Sequence, residues 1–133
     1  GSGTRKTFER YALKGNQSVD SQEQDSSGLA RSIVASTPGA ISYVAFSYLD
    51  NSVQTVNVDG IRPTEKNVRN NRWYIWSYEH LYTGKHPNQL TKKFIDYILS
   101  TAVQQKLVKQ LGYISVHDMQ VQRNAAGKVS VMK

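Results

Sequence analysis

Four residues, Gly1-Ser2-Gly3-Thr4, stand directly before an amphipathic run, Arg5-Lys6-Thr7-Phe8-Glu9-Arg10-Tyr11-Ala12-Leu13. Phe8, Tyr11 and Ala12 recur at i, i+3 and i+4, the spacing of one apolar helix face. The first amides of a helix lack intrahelical acceptors and lie at the positive end of its dipole. Serine and threonine add hydroxyl donors there, and glycine allows an anion close to the backbone. The chemistry this pattern could perform is capture of an oxyanion. Taken alone, four such common residues are also legible as a flexible linker or as an ordinary helix cap.

Other chemistry finds little support. His80, His86 and His117 are too far apart for helical metal-ligand spacing, and no carboxylate pair accompanies them, so no metal site is expected. The absence of cysteine excludes disulfides and thiolate ligands. There is no Gly-x-Ser-x-Gly elbow and no complete phosphate loop. Asp59 and Glu65 flank a turn, with nothing to mark either as a general base. No catalytic residue is assigned, and the expectation is a non-enzymatic protein without a cofactor. Arg69-Asn70-Asn71-Arg72-Trp73-Tyr74-Ile75-Trp76 mixes cations with aromatics, as single-strand nucleic-acid platforms do. The favoured reading is a buried strand whose Trp and Tyr side chains anchor a core or interface. No RNA-binding signature or Gly/Arg-rich flank accompanies the run.

The chain has 133 residues, enough for one domain or for pieces of two completed from outside it. Lys and Arg number 17 against 10 Asp and Glu, a net charge of +7. Such a surplus suits nucleic acid, an anionic envelope or a small anion. The basic residues are scattered, however, which is the pattern of a solvated surface. With 38% hydrophobic residues a core is affordable. No run approaches the roughly 18 apolar residues of a membrane span.

The elements that must position these residues follow from periodicity. Lys14-Gly15-Asn16 closes the first helix, and Gln17 to Ser27 is a polar surface loop. A serine of Ser26-Ser27 caps a second short helix over Leu29 to Ala35, which Thr37-Pro38-Gly39 stops. Ala40 to Leu49 is almost continuously apolar and predicts a buried strand. Val53 to Val58 alternates and predicts a half-buried one, broken at Asp59-Gly60. Thr64 to Asn71 contains a short polar helix, and Arg72 to Tyr82 an extended strand or crossover. Leu90 to Leu111 keeps a 3.6-residue period over two segments, with Ser100-Thr101 capping the second and Gly112 ending it. Val129-Ser130-Val131 is a candidate terminal strand.

Several segments together resemble one family. Gly1-Ser2-Gly3-Thr4 before a helix resembles the phosphate-binding turn of PstS-type phosphate-binding proteins, the receptors of ABC phosphate importers. Pro38-Gly39-Ala40-Ile41-Ser42-Tyr43-Val44 is similar to that family's PGAIGYV strand, with Ser42 in place of a glycine. Val58-Asp59-Gly60-Ile61-Arg62-Pro63-Thr64 matches its DGV-x-PT turn. Phe94 to Ser100, through Gln105, resembles F-x-D-F-I-L-S-x-x-x-Q, and Leu111 to Val116 resembles GY-x-PV, with Ser115 where proline is common. Val103 departs from the family's usual S-P-E-G cap. The order and spacing fit from the first residue to about residue 117.

The resemblance implies an α/β fragment, the C-terminal half of a two-lobe type 2 periplasmic-binding-protein fold. Residues 1–72 would belong to the second lobe with the phosphate-binding turn. Residues 73–133 would be the crossover and the C-terminal helices that return to the first lobe. It implies phosphate contacts from Ser2 and Thr4 hydroxyls, Gly3 and Thr4 amides and, adjoining the turn, Arg5. The family's principal arginine, its acceptor carboxylate and the first-lobe hydroxyls would lie outside these residues, so weak binding is expected. The implied function is extracytoplasmic capture of inorganic phosphate for an ABC permease, by a membrane-anchored lipoprotein whose signal segment is not in this sequence. A receptor for sulfate or molybdate and a basic nucleic-acid-binding module are the alternatives. Helices from Leu90 to Leu111 would expose an apolar docking face, and dimerisation or domain exchange is expected.

Overall fold

In the computed structural model, which describes residues 2–132, the first helix, α1, runs Gly3–Tyr11, two residues earlier than the apolar pattern begins. Ser2 sets that start. It is extended (φ −114°, ψ 127°), and its Oγ accepts the Arg5 N–H at 3.2 Å. Its carbonyl takes the Lys6 N–H at 3.1 Å. Lys14 (φ 55°) and Gly15 (φ 88°) reverse the chain beyond α1, and the Gly15 N–H returns to the Glu9 carbonyl at 2.9 Å.

The described residues divide into two compact units, the first ending at Trp76 and the second beginning at Ser77. In the first, the polar loop after α1 is tied back to it. Glu9 Oε1 accepts both the Ser18 N–H (3.1 Å) and the Ser18 hydroxyl (3.0 Å). Helix α2 (Ser27–Ser36) is capped by Ser26, whose Oγ accepts the Leu29 N–H at 3.2 Å, as the sequence predicts.

The strands expected over Ala40 to Leu49 and Val53 to Val58 do not form. The first segment is irregular and ends in a single 3₁₀ turn, Phe46–Tyr48. Ile41 is 78% exposed and Val56 60%. A lone extended segment cannot satisfy its own backbone, and a strand exists only beside a partner. Among the described residues no ladder flanks either segment. The second keeps one bridge, Val58 to Ile61, across Asp59 (φ 51°) and Gly60 (φ 73°). Two successive positive φ values make this a tight reversal of the kind hairpins use.

Helix α3 (Glu65–Arg69) falls within the predicted stretch and is capped by Thr64, whose Oγ1 accepts the Asn67 N–H at 3.2 Å. The aromatic run then folds back on it. The Trp73 N–H donates to the Asn67 carbonyl at 2.8 Å. The Trp76 indole N–H donates to Asn71 Oδ1 at 2.9 Å. Trp76 (8% exposed) and Val68 are the buried apolar residues of this unit among those described. No strand forms over Arg72 to Tyr82 among the described residues; the Trp76 N–H turns back to the Tyr74 carbonyl at 3.1 Å, and the division between the units falls within this run.

The second unit opens with α4 (Gln89–Leu99), capped by Asn88 Oδ1 on the Thr91 N–H at 2.8 Å. Ser100 ends it and starts the next segment, so the predicted break falls where expected. That segment winds as a π-helical stretch, Val103–Leu107, and one α turn, α5 (Val108–Gln110). Gly112 (φ 77°) reverses the chain. Strands β1 (Val121–Arg123) and β2 (Val129–Val131) pair antiparallel with Gln122 opposite Ser130, which places the predicted terminal strand. No helix is long and apolar enough to cross a membrane among the described residues.

Candidate oxyanion site at the start of helix α1

The first turn of α1 gathers Ser2, Gly3, Thr4 and Arg5 in one place; Gly1 lies outside the described residues. The Gly3 and Thr4 amides precede any intrahelical acceptor, so they are the orphan donors of a helix start. Ser2 Oγ uses a lone pair on the Arg5 N–H and retains its own hydrogen to donate. Thr4 is half-buried, and its hydroxyl has no partner among the described residues. A Cβ built on Gly3 would meet nothing within 4 Å. Nothing in the fold around Gly3 therefore requires glycine on steric grounds, and the space beside the amides is open.

Arg5 is fixed by two contacts. Nη1 pairs with Glu23 Oε1 at 2.6 Å, and Nε donates to Tyr43 Oη over a long 3.4 Å. The bond to Glu23 first, and then that to Tyr43, hold the guanidinium protonated by raising its already high pKa. The Tyr43 ring stacks on Phe8 with centroids 4.3 Å apart and planes 13° from parallel. Helix α1 thus rests on the Pro38–Val44 segment through Phe8 and Tyr43, one turn beyond the anion-facing end. Sequence reading missed Tyr43 and Glu23 as the partners of Arg5. Tyr43 lay within a quoted motif, whereas Glu23 sits in an aperiodic polar loop with no positional signal.

A cleft of about 320 Å³ opens beside this turn, lined by Arg5, Glu9, Ser18, Asp20 and Glu23 among others. A larger one of about 490 Å³, walled by Asp50, Gln54, Asn57, Arg62 and neighbouring loop residues, shares none of Ser2 to Arg5. Neither cleft takes Ser2, Gly3 or Thr4 into its lining. The smaller one reaches Arg5 alone of the four and sets it among the carboxylates Glu9, Asp20 and Glu23, so the candidate site is the open first turn of α1 rather than a cleft.

The remaining motifs hold structure. The Tyr74 hydroxyl donates to Asp59 Oδ2 at 3.0 Å, and that bond raises the Tyr74 pKa. Arg69 pairs with Glu65 at 3.7 Å, and both indole N–H groups are turned onto the protein's own acceptors, Trp73 to the Ile75 carbonyl and Trp76 to Asn71. The run is therefore packed rather than presented as a stacking platform. His80 lies between Tyr78 and Tyr82, with centroids 6.2 and 5.9 Å away. Among the described residues no group of three or more His, Cys, Asp or Glu side chains could hold a metal ion.

The sequence as a whole resembles known proteins. The family model described as PBP superfamily domain covers residues 1–102. The phosphate-binding protein PstS of Bacillus subtilis (strain 168) is 46% identical over 130 residues, which is 97% of this chain and 43% of that protein. The chain thus spans less than half the length of the curated relative it matches.

Proposed function

Because this chain belongs to the PBP superfamily, we propose that it is part of a non-enzymatic receptor that binds inorganic phosphate outside the cytoplasm and delivers it to an ABC permease. The observation that carries the reading is the 46% identity, across nearly the whole chain, to a protein named for phosphate binding. The first turn of α1 supports it chemically. Gly3 and Thr4 amides, Ser2 and Thr4 hydroxyls and the Arg5 cation are the donors a tetrahedral oxyanion needs, aligned with the helix dipole. No bond is made or broken; transport requires capture, closure and release.

On this reading residues 1–72 belong to the second lobe of a two-lobe receptor and residues 73–133 return to the first, with anchoring as a lipoprotein. Further phosphate ligands come from parts of the receptor that these residues do not include, so the chain alone binds weakly. Titration calorimetry should show phosphate binding that exceeds sulfate binding and weakens in Ser2→Ala. Preference for sulfate or molybdate would overturn the ligand assignment. Binding of a polynucleotide with steep salt dependence, without a phosphate effect, would overturn the function.

The reading also bears on assembly. Leu90, Phe94 and Tyr97 fall at i, i+4 and i+7 on α4 and are 76%, 55% and 60% exposed. An apolar stripe of this kind seldom stays in water, and self-association of the isolated chain is expected through it. Sedimentation velocity should show a coefficient that rises with concentration and falls back in Phe94→Glu. A monodisperse monomer at high concentration would exclude it.

A further inference from the structure

The contact between Arg5 and Glu23 bears on how the proposed site is tuned. We propose that Glu23 is an internal counter-ion that competes with the bound oxyanion for Arg5, and so sets the affinity of the α1 turn. The inference rests on the oxyanion reading above and names a residue outside the turn itself.

The geometry gives the competition its form. A guanidinium presents N–H donors in a planar fork that suits carboxylate and phosphate alike. In Arg5 one edge is held at Nε by Tyr43, which Phe8 in turn keeps stacked. The Nη1 donor is taken by the Glu23 carboxylate. Arg5 is thus placed by α1 and Tyr43, and Glu23 is brought to it by the loop. That loop is tethered to the same helix where Glu9 accepts both donors of Ser18, five residues before Glu23. Tethering of this kind holds a carboxylate near its partner at high effective concentration.

Exposure makes the contact exchangeable. The Arg5 and Glu23 side chains are 37% and 66% exposed, and ion pairs in such surroundings are weak and screened. An arriving anion can displace Glu23 without uncovering buried charge. Until it does, Glu23 opposes binding twice, by occupying a guanidinium donor and by repelling a second negative charge. Both effects have the same sign, so neutralising the carboxylate strengthens anion binding.

Glu23→Gln tests this, since it keeps the side-chain shape and removes the charge. Phosphate affinity measured by calorimetry should rise about two- to fivefold, the range expected when an exposed ion pair is removed as competitor. Arg5→Gln should cost more affinity in the Glu23→Gln background than in the parent, because the arginine is then free for the ligand. Circular dichroism should show the same helix content in all variants. If phosphate binds the parent and weakens in Ser2→Ala, yet Glu23→Gln leaves affinity unchanged or lower, the counter-ion role is wrong and the oxyanion site stands. If neither the folded parent nor folded Glu23→Gln binds phosphate, both readings fall together.

Discussion

Gly3→Ala is expected to weaken phosphate binding by at least about tenfold, some 1.4 kcal/mol, while α1 becomes no less stable. The two effects separate because the residue has no steric role in the fold. Gly3 adopts helical backbone as the first residue of α1, and a methyl group there would meet open space. Alanine is favoured over glycine inside helices by up to about 1 kcal/mol, and by less in the first turn. The open space is where an oxyanion must come to reach the Gly3 and Thr4 amides, and a methyl group would fill it. Gly60 provides the contrast. Its φ of 73° demands glycine for backbone reasons, so alanine there would strain the turn whatever the ligand does. Calorimetry with phosphate, run beside thermal melts followed by circular dichroism, reads both quantities. Unchanged affinity would remove Gly3 from the site, and a lower melting temperature would show that its role is structural.

What could be read from the sequence depended on whether the deciding interaction was local. Caps are local. Ser26, Thr64 and Ser100 each act within three residues, and each stands where the helical pattern places a boundary. The Ser2 cap of α1 was legible for the same reason, since it acts on Arg5 three residues on. Strands are not local. Ala40 to Leu49 has the apolarity of a segment covered on both faces, but pattern reports the covering a segment suits, not whether a neighbour is present. No partner pairs with it among the described residues, and Ile41 is left in water. The Arg5 partners show the same limit at single residues. Tyr43 and Glu23 are 38 and 18 positions away, and only the fold brings them to one guanidinium.

Tertiary pairings lie beyond periodicity and motif alike. Phe8 falls in the helix that periodicity places and Tyr43 in a segment that the resemblance singles out, and in the structure their rings stack. Asp59 and Tyr74 are joined likewise, one in the reversal after Val58 and the other in the aromatic run. Neither pair is visible in spacing. The positively charged surface also supplied little: Arg31, Arg69 and Lys109 are paired with Asp50, Glu65 and Asp118, and the net surplus of +7 marks no single face.

Gln104→Leu is expected to destabilise the second unit by about 2–4 kcal/mol, because it strips one buried and two half-buried groups of their partner at once. Gln104 is 5% exposed and Ser115 fully buried. The Gln104 amide donates to the Ile98 carbonyl at 3.0 Å, close to the end of α4. Its Oε1 accepts the Ser115 hydroxyl at 3.2 Å and the Val116 N–H at 3.1 Å. Ser115 Oγ in turn accepts the His117 N–H at 3.2 Å. One side chain therefore joins α4, the π-helical stretch and the turn after Gly112. Leucine fits the volume but leaves a donor, an acceptor and a hydroxyl unpaired. Small units hold only a few kcal/mol in reserve, so amide exchange over residues 77–132 should accelerate about a hundredfold, with residues 2–76 as the comparison. Gln104→Glu distinguishes hydrogen bonding from packing. A protonated carboxyl can still donate to Ile98 and accept from Val116, whereas a buried carboxylate can only accept and carries an unpaired charge. Burial raises the folded-state pKa of this glutamic acid above its unfolded value. The variant should therefore be least impaired below about pH 4 and lose stability as pH rises toward 7. A loss equal at both pH values would mean that the site depends on shape alone.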